Sequence, residues 1–503
     1  MRWFAPLVLM AGLLLAPIPG EAQLSETDSL TVRVDRLFAS WARSDGPGAA
    51  VVVTEGDRTL HLSGYGAAVL EHRVPIEGRT VFDVASVAKQ FTAYLVALME
   101  EEGLLSVDDL LRDHLPEFSE MADDITLRHL LHHTGGLRDW PGALFLSGSL
   151  FEDVLTFNQI LRMALHQTDL NFAPGTEHDY SNTGYNLLAE VISRRVGQPF
   201  PQVAKERIFE PLQMTSTRFL ASHGEVVQLR ADSYAPVGGG AREYRRVASN
   251  LSAWGSSSLL TSAEDMARWM IHLNQPGSSA GERVVERMEE RGVLTGGDTI
   301  AYGWGQWEGE IHGQRALRHG GSWAGYRSTV VRLPDREVGI AVLGNSAALD
   351  PESLAEEIAA IYLEETGSAT VARIAPPRLT RVEPAREGGA DGPRGADSVG
   401  GFEEGGEASE GPWSPTTEEL GAYAGEYRSP ELYTFYAIHT GDGGLVATHF
   451  RLGSQFLRPV APDRFESVGL GDVTFQRDGE GRVIGFTSTR PRIRDLRFIR
   501  VRP

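Results

Sequence analysis

A glycine- and glutamate-rich stretch divides this chain of 503 residues into two parts that must fold around separate cores. It follows Ala375-Pro376-Pro377 and holds nine glycines between Gly388 and Gly411. Such a composition lacks the apolar side chains that would offset the entropy lost when a chain becomes ordered. We therefore expect a flexible linker over residues 371–415, with a larger domain over 23–370 and a smaller one over 416–503.

The first residues have the pattern of an export signal. Arg2 precedes an apolar run from Trp3 to Ala16, and a small-x-small sequence ends at Ala22. This pattern predicts a signal peptide over residues 1–22, and hence a secreted or periplasmic protein without stable membrane insertion. The chain contains no cysteine, so its folding after export does not depend on disulfides.

The charge of the chain argues against nucleic acid as a partner. It has 47 basic and 68 acidic side chains, for a net charge of −21, whereas phosphate binding needs clustered positive charge. Arginines recur at the C-terminal end, and their largely alternating spacing favours the solvated side of an edge strand over an anion site. These arginines are Arg490, Arg492, Arg494, Arg497, Arg500 and Arg502.

A serine and a lysine stand one helical turn apart at the start of an apolar run. Ser86 and Lys89 precede apolar residues at spacings of three and four from Phe91 to Met99, and Gly103 ends the run. Side chains three apart share one helix face, so the amine is expected within reach of the hydroxyl. A lysine with a lowered pKa can activate a serine by taking its proton, although a mere capping serine also fits this pattern.

Two further segments supply polar groups for the same chemistry. Tyr180 and Asn182 follow a turn and precede an amphipathic run, where the phenol can relay a proton and the amide can hold a substrate. The segment His319-Gly320-Gly321-Ser322 leads into a strand-like stretch, and its paired glycines allow another backbone or a ligand to come close. We expect the backbone N–H groups of Ser86 and Ser322 to form an oxyanion hole, with His319, Gly321 and Asn182 at the substrate.

Together and in this order, these segments resemble the serine beta-lactamase and penicillin-binding-protein superfamily, in its class C beta-lactamase, D-peptidase and esterase branch. The likeness covers roughly residues 30 to 365. Further stretches similar to this branch are Phe82–Ala85, Leu130–Leu137, Phe172–Thr176, Pro211–Thr217 and Thr261–Ala267.

The resemblance implies acyl transfer to Ser86 from a small-molecule or peptide substrate, with Lys89 and Tyr180 acting jointly as the base. Penicillin-cleaving members usually carry Lys-Thr-Gly where this chain has His319-Gly320-Gly321. A histidine is mostly neutral at pH 7, so we expect ester or D-peptide hydrolysis ahead of lactam turnover. The alternative is a penicillin-binding or sensor module that is acylated and does not turn over.

Three histidines raise the alternative of a zinc site. His129, His132 and His133 stand at helical spacings, but neither His-Glu-x-x-His nor any cysteine accompanies them. The predicted mechanism also has no step that needs a metal. We therefore predict neither a metal nor another cofactor.

The periodicity predicts an α+β fold for the larger domain. Strands near Ala49–Thr54, Leu60–Tyr65, Tyr326–Leu333 and Val338–Leu343 suit an antiparallel sheet flanked by helices near Leu30–Ala42 and Ser353–Glu365. An all-helical insertion from about Phe91 to Leu273 completes a beta-lactamase-like layout, which the resemblance also implies. Seven short alternating segments after residue 416 predict a small antiparallel β-barrel, similar to the lipocalin-like domain of some members.

Overall fold

The computed structural model describes residues 29–238, 243–366 and 413–502. The predicted signal peptide and most of the predicted linker lie outside the described residues. The helices are α1 (Leu30–Leu37), α2 (Ala88–Glu101), α3 (Leu111–His114), α4 (Leu127–Leu131), α5 (Trp140–Leu146), α6 (Phe157–Leu165), α7 (Asn182–Val196), α8 (Phe200–Ala204), α9 (Ala263–Asn274), α10 (Ser279–Met288), α11 (Pro351–Glu365) and α12 (Thr417–Gly421).

The strands fall into two groups, one in each domain. Those of the larger domain are β1 (Ala49–Glu55), β2 (Arg58–Tyr65), β3 (Ala67–Val69), β4 (Val74–Pro75), β5 (Val81–Asp83), β6 (Arg218–Phe219), β7 (Tyr234–Pro236), β8 (Tyr244–Arg246), β9 (Leu259–Ser262), β10 (Trp307–Ile311), β11 (Gln314–Trp323), β12 (Tyr326–Leu333) and β13 (Val338–Gly344). Those of the smaller domain are β14 (Gly425–Ser429), β15 (Thr434–Gly441), β16 (Gly444–His449), β17 (Gly453–Ala461), β18 (Arg464–Ser467), β19 (Gly471–Arg477), β20 (Val483–Arg490) and β21 (Ile493–Arg502).

A six-stranded antiparallel sheet joins the two ends of the larger domain. Its order is β10-β11-β12-β13-β1-β2. The first strand of the domain in sequence, β1, therefore pairs with the last, β13. Side chains alternate across a strand, and in β1 Ala50 and Val52 belong to one apolar cluster while Val51 belongs to another. The continuous apolar run in β1 is therefore buried on both faces, and the predicted sheet is confirmed.

Helices cover both faces of this sheet. The predicted terminal helices are α1 and α11, which pack on the same face, while α2 and α9 belong to the cluster on the other. The insertion between β5 and β10 is mainly helical and also carries the short strands β6 to β9. Within the described residues, no helix combines the length and apolar character needed to cross a bilayer.

The smaller domain is a closed eight-stranded antiparallel barrel, as predicted, with β14 pairing to β21. The sequence pattern missed β17, in which Pro459 and a low share of buried side chains weaken the alternation. Aromatic rings pack within the barrel, with Phe486 stacked on Phe498 at 4.5 Å and in contact with Phe475. A barrel of this size has an interior that side chains can fill.

The barrel packs against the larger domain around α5. Trp140 and Leu146 of that helix belong to the same apolar cluster as the barrel residues. The predicted edge strand for the C-terminal arginines is wrong, because β21 pairs with a neighbour on each side, although the Arg497 side chain is more than half exposed. Arg490 and Arg494 instead lie over aromatic rings of the larger domain, at 4.7 and 5.4 Å from the ring centroids.

Candidate active site

Ser86 lies on a short 3-10 turn, Ala85–Val87, that continues directly into α2. Ala85 has a φ of 46°, in the left-handed region that costs a non-glycine residue about 1–2 kcal/mol. Its backbone N–H donates a hydrogen bond to Asp83 at 3.0 Å, and the Ser249 hydroxyl donates to the other oxygen of Asp83 at 3.2 Å. Burial raises the pKa of Asp83. This support holds the turn so that Ser86 lies between β11 and the helical insertion.

Lys89 is fully buried in the first turn of α2 and contacts Ser86. Its Nζ donates hydrogen bonds to Ser86 Oγ at 3.2 Å, to Asn182 Oδ1 at 2.7 Å and to the carbonyl oxygen of Ser256 at 2.9 Å. Amide and carbonyl oxygens can only accept. In the neutral amine the two N–H bonds therefore stay on Asn182 and Ser256, and the lone pair faces Ser86 Oγ. This geometry suits Lys89 to take the proton of a nucleophilic serine.

Tyr180 reaches the same place from the loop before α7. Its side chain is buried, and its ring centroid lies 4.8 Å from Lys89 Nζ. A positive charge close to a phenol favours the ionised form of the phenol. The structure thus brings the predicted alcohol, amine and phenol ring together, and the joint action of Lys89 and Tyr180 as the base stays a prediction.

Both ends of the Asn182 amide contact protein groups. Oδ1 accepts from Lys89, while Nδ2 and the backbone N–H donate to the two oxygens of Asp139 at 3.0 and 2.8 Å. Asp139 is the N-cap residue of α5, yet its side chain caps α7 instead. Because a carboxylate only accepts, Asp139 determines which end of the amide faces Lys89. Asn182 therefore positions the lysine, and its predicted contact with substrate stays a prediction.

The glycine pair lies inside β11, whereas the sequence pattern placed it ahead of a strand. At Gly321 the strand approaches the nucleophile turn so closely that an added Cβ would lie 2.1 Å from the Val84 carbonyl oxygen. β10 pairs with β11 only as far as Arg318, which leaves the next residues, including Ser322, along an edge beside the turn. The oxyanion hole formed by the N–H groups of Ser86 and Ser322 is compatible with this arrangement and stays a prediction.

His319 lies in the floor of the site and is 1% exposed. Its Nε2 is 3.1 Å from the Tyr302 hydroxyl, and its Nδ1 is 2.6 Å from the Gly320 carbonyl oxygen. Burial, together with the positive charge of Lys89, lowers the pKa of His319 to about 3. The ring is therefore neutral at pH 7 and supplies no fixed charge for a substrate carboxylate. Its predicted contact with substrate stays a prediction.

The three histidines considered for zinc point to different partners. α4 ends before His132 and His133, so the helical spacing does not extend to them. His129 contacts the start of its own helix, His132 lies 3.1 Å from the Glu290 carbonyl oxygen, and His133 accepts from the backbone N–H of Ser181 at 3.2 Å. Each ring thus has a structural role of its own.

Sequence reasoning missed the groups that reach the site from other elements. These are the carbonyl of Ser256, the side chains of Asp139 and Tyr302, and Arg492 of the barrel. None of them stands in a short motif with Ser86. The pattern around Asp139 signals a helix start, and it gives no hint that the carboxylate caps a different helix.

Comparison with known proteins agrees with this geometry. Residues 34–363 match the sequence profile of the family described as Beta-lactamase, which is more than half of the chain. The chain belongs to the beta-lactamase family. The matched region holds Ser86, Lys89, Tyr180 and the glycine pair.

Two relatives resemble the chain over roughly two thirds of its length. A D-aminopeptidase of Gluconobacter oxydans is 27% identical over 339 residues, which is 66% of this chain and 62% of the relative. A penicillin-binding protein of Bacillus subtilis is 28% identical over 61% of this chain and 70% of its own length. The chain thus spans less than two thirds of the length of the D-aminopeptidase.

A solved structure shares the fold over nearly the whole chain. The penicillin-binding protein homologue from Pyrococcus abyssi superimposes with a TM-score of 0.59, covering 93% of this chain and 99% of that one. The sequence identity is 19%, so the likeness shows the fold alone. Because the match extends beyond residue 363, it includes the barrel as well as the beta-lactamase domain.

Proposed function

We propose that this member of the beta-lactamase family is a secreted serine hydrolase that forms an acyl-enzyme with ester or amide substrates, including D-peptides. The hydrogen bonding of Lys89 carries the proposal, since two fixed acceptors leave its lone pair facing Ser86 Oγ at 3.2 Å. The similarity to a D-aminopeptidase supports amide hydrolysis.

In the first half-reaction, Ser86 Oγ attacks the substrate carbonyl and its proton passes to the pair formed by Lys89 and Tyr180. A bond forms between Oγ and the carbonyl carbon, and the negative charge develops on the carbonyl oxygen. The backbone N–H groups of Ser86 and Ser322 are the donors proposed to stabilise that oxyanion. The tetrahedral intermediate then expels the leaving group, which takes up the proton from the pair.

In the second half-reaction, the same pair takes a proton from water, which attacks the acyl carbon. By microscopic reversibility the pair then returns a proton to Ser86 Oγ as the acid product leaves. Lys89 keeps its hydrogen bonds to Asn182 and Ser256 throughout. Proton transfer therefore uses only the position on Nζ that faces Ser86 Oγ. Nucleophilic attack by Ser86 and proton transfer by the Lys89 and Tyr180 pair together account for both half-reactions.

The neutral His319 bears on substrate preference. Because its pKa is lowered to about 3, it cannot replace the fixed positive charge that a lysine would present to a carboxylate. We therefore propose esters and D-peptides as better substrates than penicillins or cephalosporins. A kcat/KM for a chromogenic cephalosporin far above that for p-nitrophenyl esters would reverse this order.

We further propose that the protein is exported and acts on small-molecule or peptide substrates, without nucleic acid as a partner. The N-terminal pattern that ends at Ala22 and the net charge of −21 support these two points. N-terminal sequencing of the protein recovered from the medium or periplasm tests the export.

Replacing the nucleophile tests the proposed function directly. Ser86→Ala is expected to abolish hydrolysis of p-nitrophenyl acetate and labelling by a fluorophosphonate probe, because it removes the hydroxyl that Lys89 Nζ contacts at 3.2 Å. The matched control is Ser119→Ala, which removes an exposed hydroxyl and should leave both readings unchanged. Peptide mapping of labelled protein should place the adduct on Ser86.

The time course separates the enzyme from the alternative sensor module. An enzyme releases a first equivalent of p-nitrophenol and then continues at a steady rate, whereas a sensor stops after that equivalent. A burst of product that survives in Ser86→Ala would assign the nucleophile to another residue.

A further inference from the structure

An arginine of the barrel stands at a turn position that disfavours it. Pro491 and Arg492 join β20 to β21, with Arg490 paired to Ile493 across the hairpin. Arg492 has a φ of 65°, and the residue that follows a proline in such a turn is usually glycine or asparagine. A long side chain held in a sparsely populated conformation is a reason to ask what that side chain does.

Arg492 contacts the catalytic centre. Its guanidinium carbon lies 4.8 Å from the Tyr180 ring centroid, and Nη1 lies 3.4 Å from Asp139 Oδ2. Its backbone carbonyl accepts hydrogen bonds from the N–H of Asp139 at 3.1 Å and from Asn171 Nδ2 at 2.9 Å. The hairpin tip is thus anchored on the larger domain, with the charge of Arg492 beside the proposed base.

Asp139 connects Arg492 to the lysine. The carboxylate that contacts Arg492 also accepts from both nitrogens of Asn182, and this bonding keeps Oδ1 of the amide on Lys89 Nζ. With the amide reversed, its N–H group would face the lysine and compete for the lone pair that must face Ser86. The cation also offsets the anionic charge of Asp139, which alone would favour the protonated lysine.

We propose that Arg492 is a positioning residue of the catalytic centre, acting on the Lys89 and Tyr180 pair through Asp139 and across the Tyr180 ring. Acyl transfer at Ser86 then depends on the docked barrel. This inference rests on the proposed function, because it concerns the base of that reaction.

Other titratable groups face the same pair and do not take the place of Arg492. His133, from the turn after α4, and His319, from β11, have pKa values lowered by burial, and the pKa of His178 is lowered to about 4. Asp179 has a pKa raised by burial. Arg494, two residues along the hairpin, pairs with Glu177 at 2.9 Å. The three imidazoles are therefore neutral and add no positive charge near Tyr180. Arg492 supplies the positive charge that the barrel places over the Tyr180 ring.

The proposal predicts the pH dependence of the reaction. Lys89 Nζ and Arg492 Cζ each lie 4.8 Å from the same ring centroid, so they are at most about 10 Å apart. Removing a unit charge at that distance, with an effective dielectric constant near 20, is expected to move the acid limb of kcat/KM upward by roughly one pH unit. Below that limb, one unit corresponds to a loss of about tenfold.

Three variants test this effect on the full-length protein. Arg492→Gly removes the charge and relieves the turn, so the protein should remain folded while the acid limb moves upward and kcat/KM below that limb falls about tenfold. Arg492→Lys keeps the charge and should retain the wild-type acid limb. The control is Arg494→Ala, which removes a neighbouring arginine that also binds the larger domain and should change neither reading.

The readings are the pH profile for p-nitrophenyl acetate and the rate at which a fluorophosphonate labels Ser86. An unchanged acid limb in Arg492→Gly would overturn the proposal, as would equal losses in Arg492→Gly and Arg494→Ala, which would assign Arg492 to domain docking alone. Hydrolysis that persists in the Ser86→Ala variant would instead refute the proposed function.

Discussion

At the residue scale, the closeness of two backbones decides whether the site can form. Gly321 lies where β11 meets the nucleophile turn, and the space for its side chain is filled by the Val84 carbonyl and the Ser328 hydroxyl. That hydroxyl, from β12, also donates to the Val84 carbonyl at 2.9 Å, so a buried hydrogen bond joins the turn to the strand next to β11. A glycine is required here for close approach, not for an unusual φ.

Gly321→Ala is expected to damage both activity and stability. Its Cβ would lie 2.1 Å from a backbone oxygen, so the strand or the turn must move and carry the N–H groups of Ser322 or Ser86 with it. Displacing an oxyanion donor costs about 10²–10³ in kcat, and overpacking a core costs about 1–3 kcal/mol. Steady-state kinetics and thermal denaturation measure the two effects.

The neighbouring glycine provides the control. A Cβ at Gly320 would meet the end of the flexible Glu352 side chain, at 2.5 Å, on the other face of the sheet. Gly320→Ala should therefore keep most of the activity, because Glu352 can turn away. Equal losses in the two variants would show that the sheet as a whole, and not the approach to the turn, is sensitive to added volume.

Residues of the site were predictable where the contact is local. The reach of Lys89 to Ser86 follows from a spacing of three on one helix, and the structure gives 3.2 Å between their polar atoms. Arg492 and Asp139 are far apart in sequence and meet only because the barrel docks on the larger domain. No spacing rule encodes such a contact, and the alternation of the C-terminal arginines even pointed to solvent.

At the element scale, three histidines from different elements gather around Tyr302. His133 follows α4, His178 precedes α7 and His319 belongs to β11, and the rings of all three contact Tyr302 at centroid distances of 4.6 to 6.1 Å. Burial is the first cause that lowers the pKa of each ring. The packing of these elements therefore requires neutral imidazoles.

The histidine cluster predicts a loss of stability in weak acid. The pKa of His319 is about 3 in the folded protein, against 6.5 for an ordinary histidine. Between these values the unfolded chain binds a proton that the folded chain does not, so the free energy of unfolding falls as the pH drops from about 6.5. One proton contributes a slope of about 1.4 kcal/mol per pH unit.

Urea denaturation at a series of pH values measures this slope. His319→Gln should reduce it by about one proton between pH 6 and 4, because glutamine does not titrate. His439→Gln removes an exposed histidine of the barrel and should leave the slope as in the wild type. If all three proteins lose stability in parallel, carboxylates and not His319 account for the acid sensitivity.

Elements were predictable where one pattern dominates the segment. β12 has the predicted bounds, Tyr326–Leu333, because its aromatic and β-branched residues lie between Gly325 and Pro334, which favours a single assignment. β11 was not recognised, since its glycines weaken the strand pattern and are explained only by the nucleophile turn. The hydrogen bonds of β11 to its neighbours β10 and β12 make it a strand despite its weak local pattern.

At the scale of the whole molecule, the barrel is attached by apolar and ionic contacts together. Arg138 and Glu431 form an ion pair across the two domains at 3.2 Å, with side chains only 1% and 2% exposed. Arg138 also donates to the backbone oxygen of Arg494 at 3.0 Å, beside the hairpin that carries Arg492. The composition predicts a division of the chain into two domains, whereas this attachment depends on side chains that no linker composition could reveal.

Glu431→Ala is expected to loosen the barrel from the larger domain. The variant leaves the Arg138 guanidinium buried without its carboxylate, and removing one partner of a buried pair costs about 3–5 kcal/mol. The control is Arg451→Ala, because the pair of Arg451 with Asp153 also joins the two domains but is about one third exposed, so solvent screens it and its loss should change stability little. Scanning calorimetry should show a lowered or divided transition for Glu431→Ala alone. Hydrolysis below the acid limb should fall at the first step, since that step withdraws Arg492 from Tyr180. If the barrel unfolds before any hydrolysis is lost, the larger domain hydrolyses substrate without the docked barrel. Equal transitions in the two variants would assign the attachment to the apolar contacts of α5.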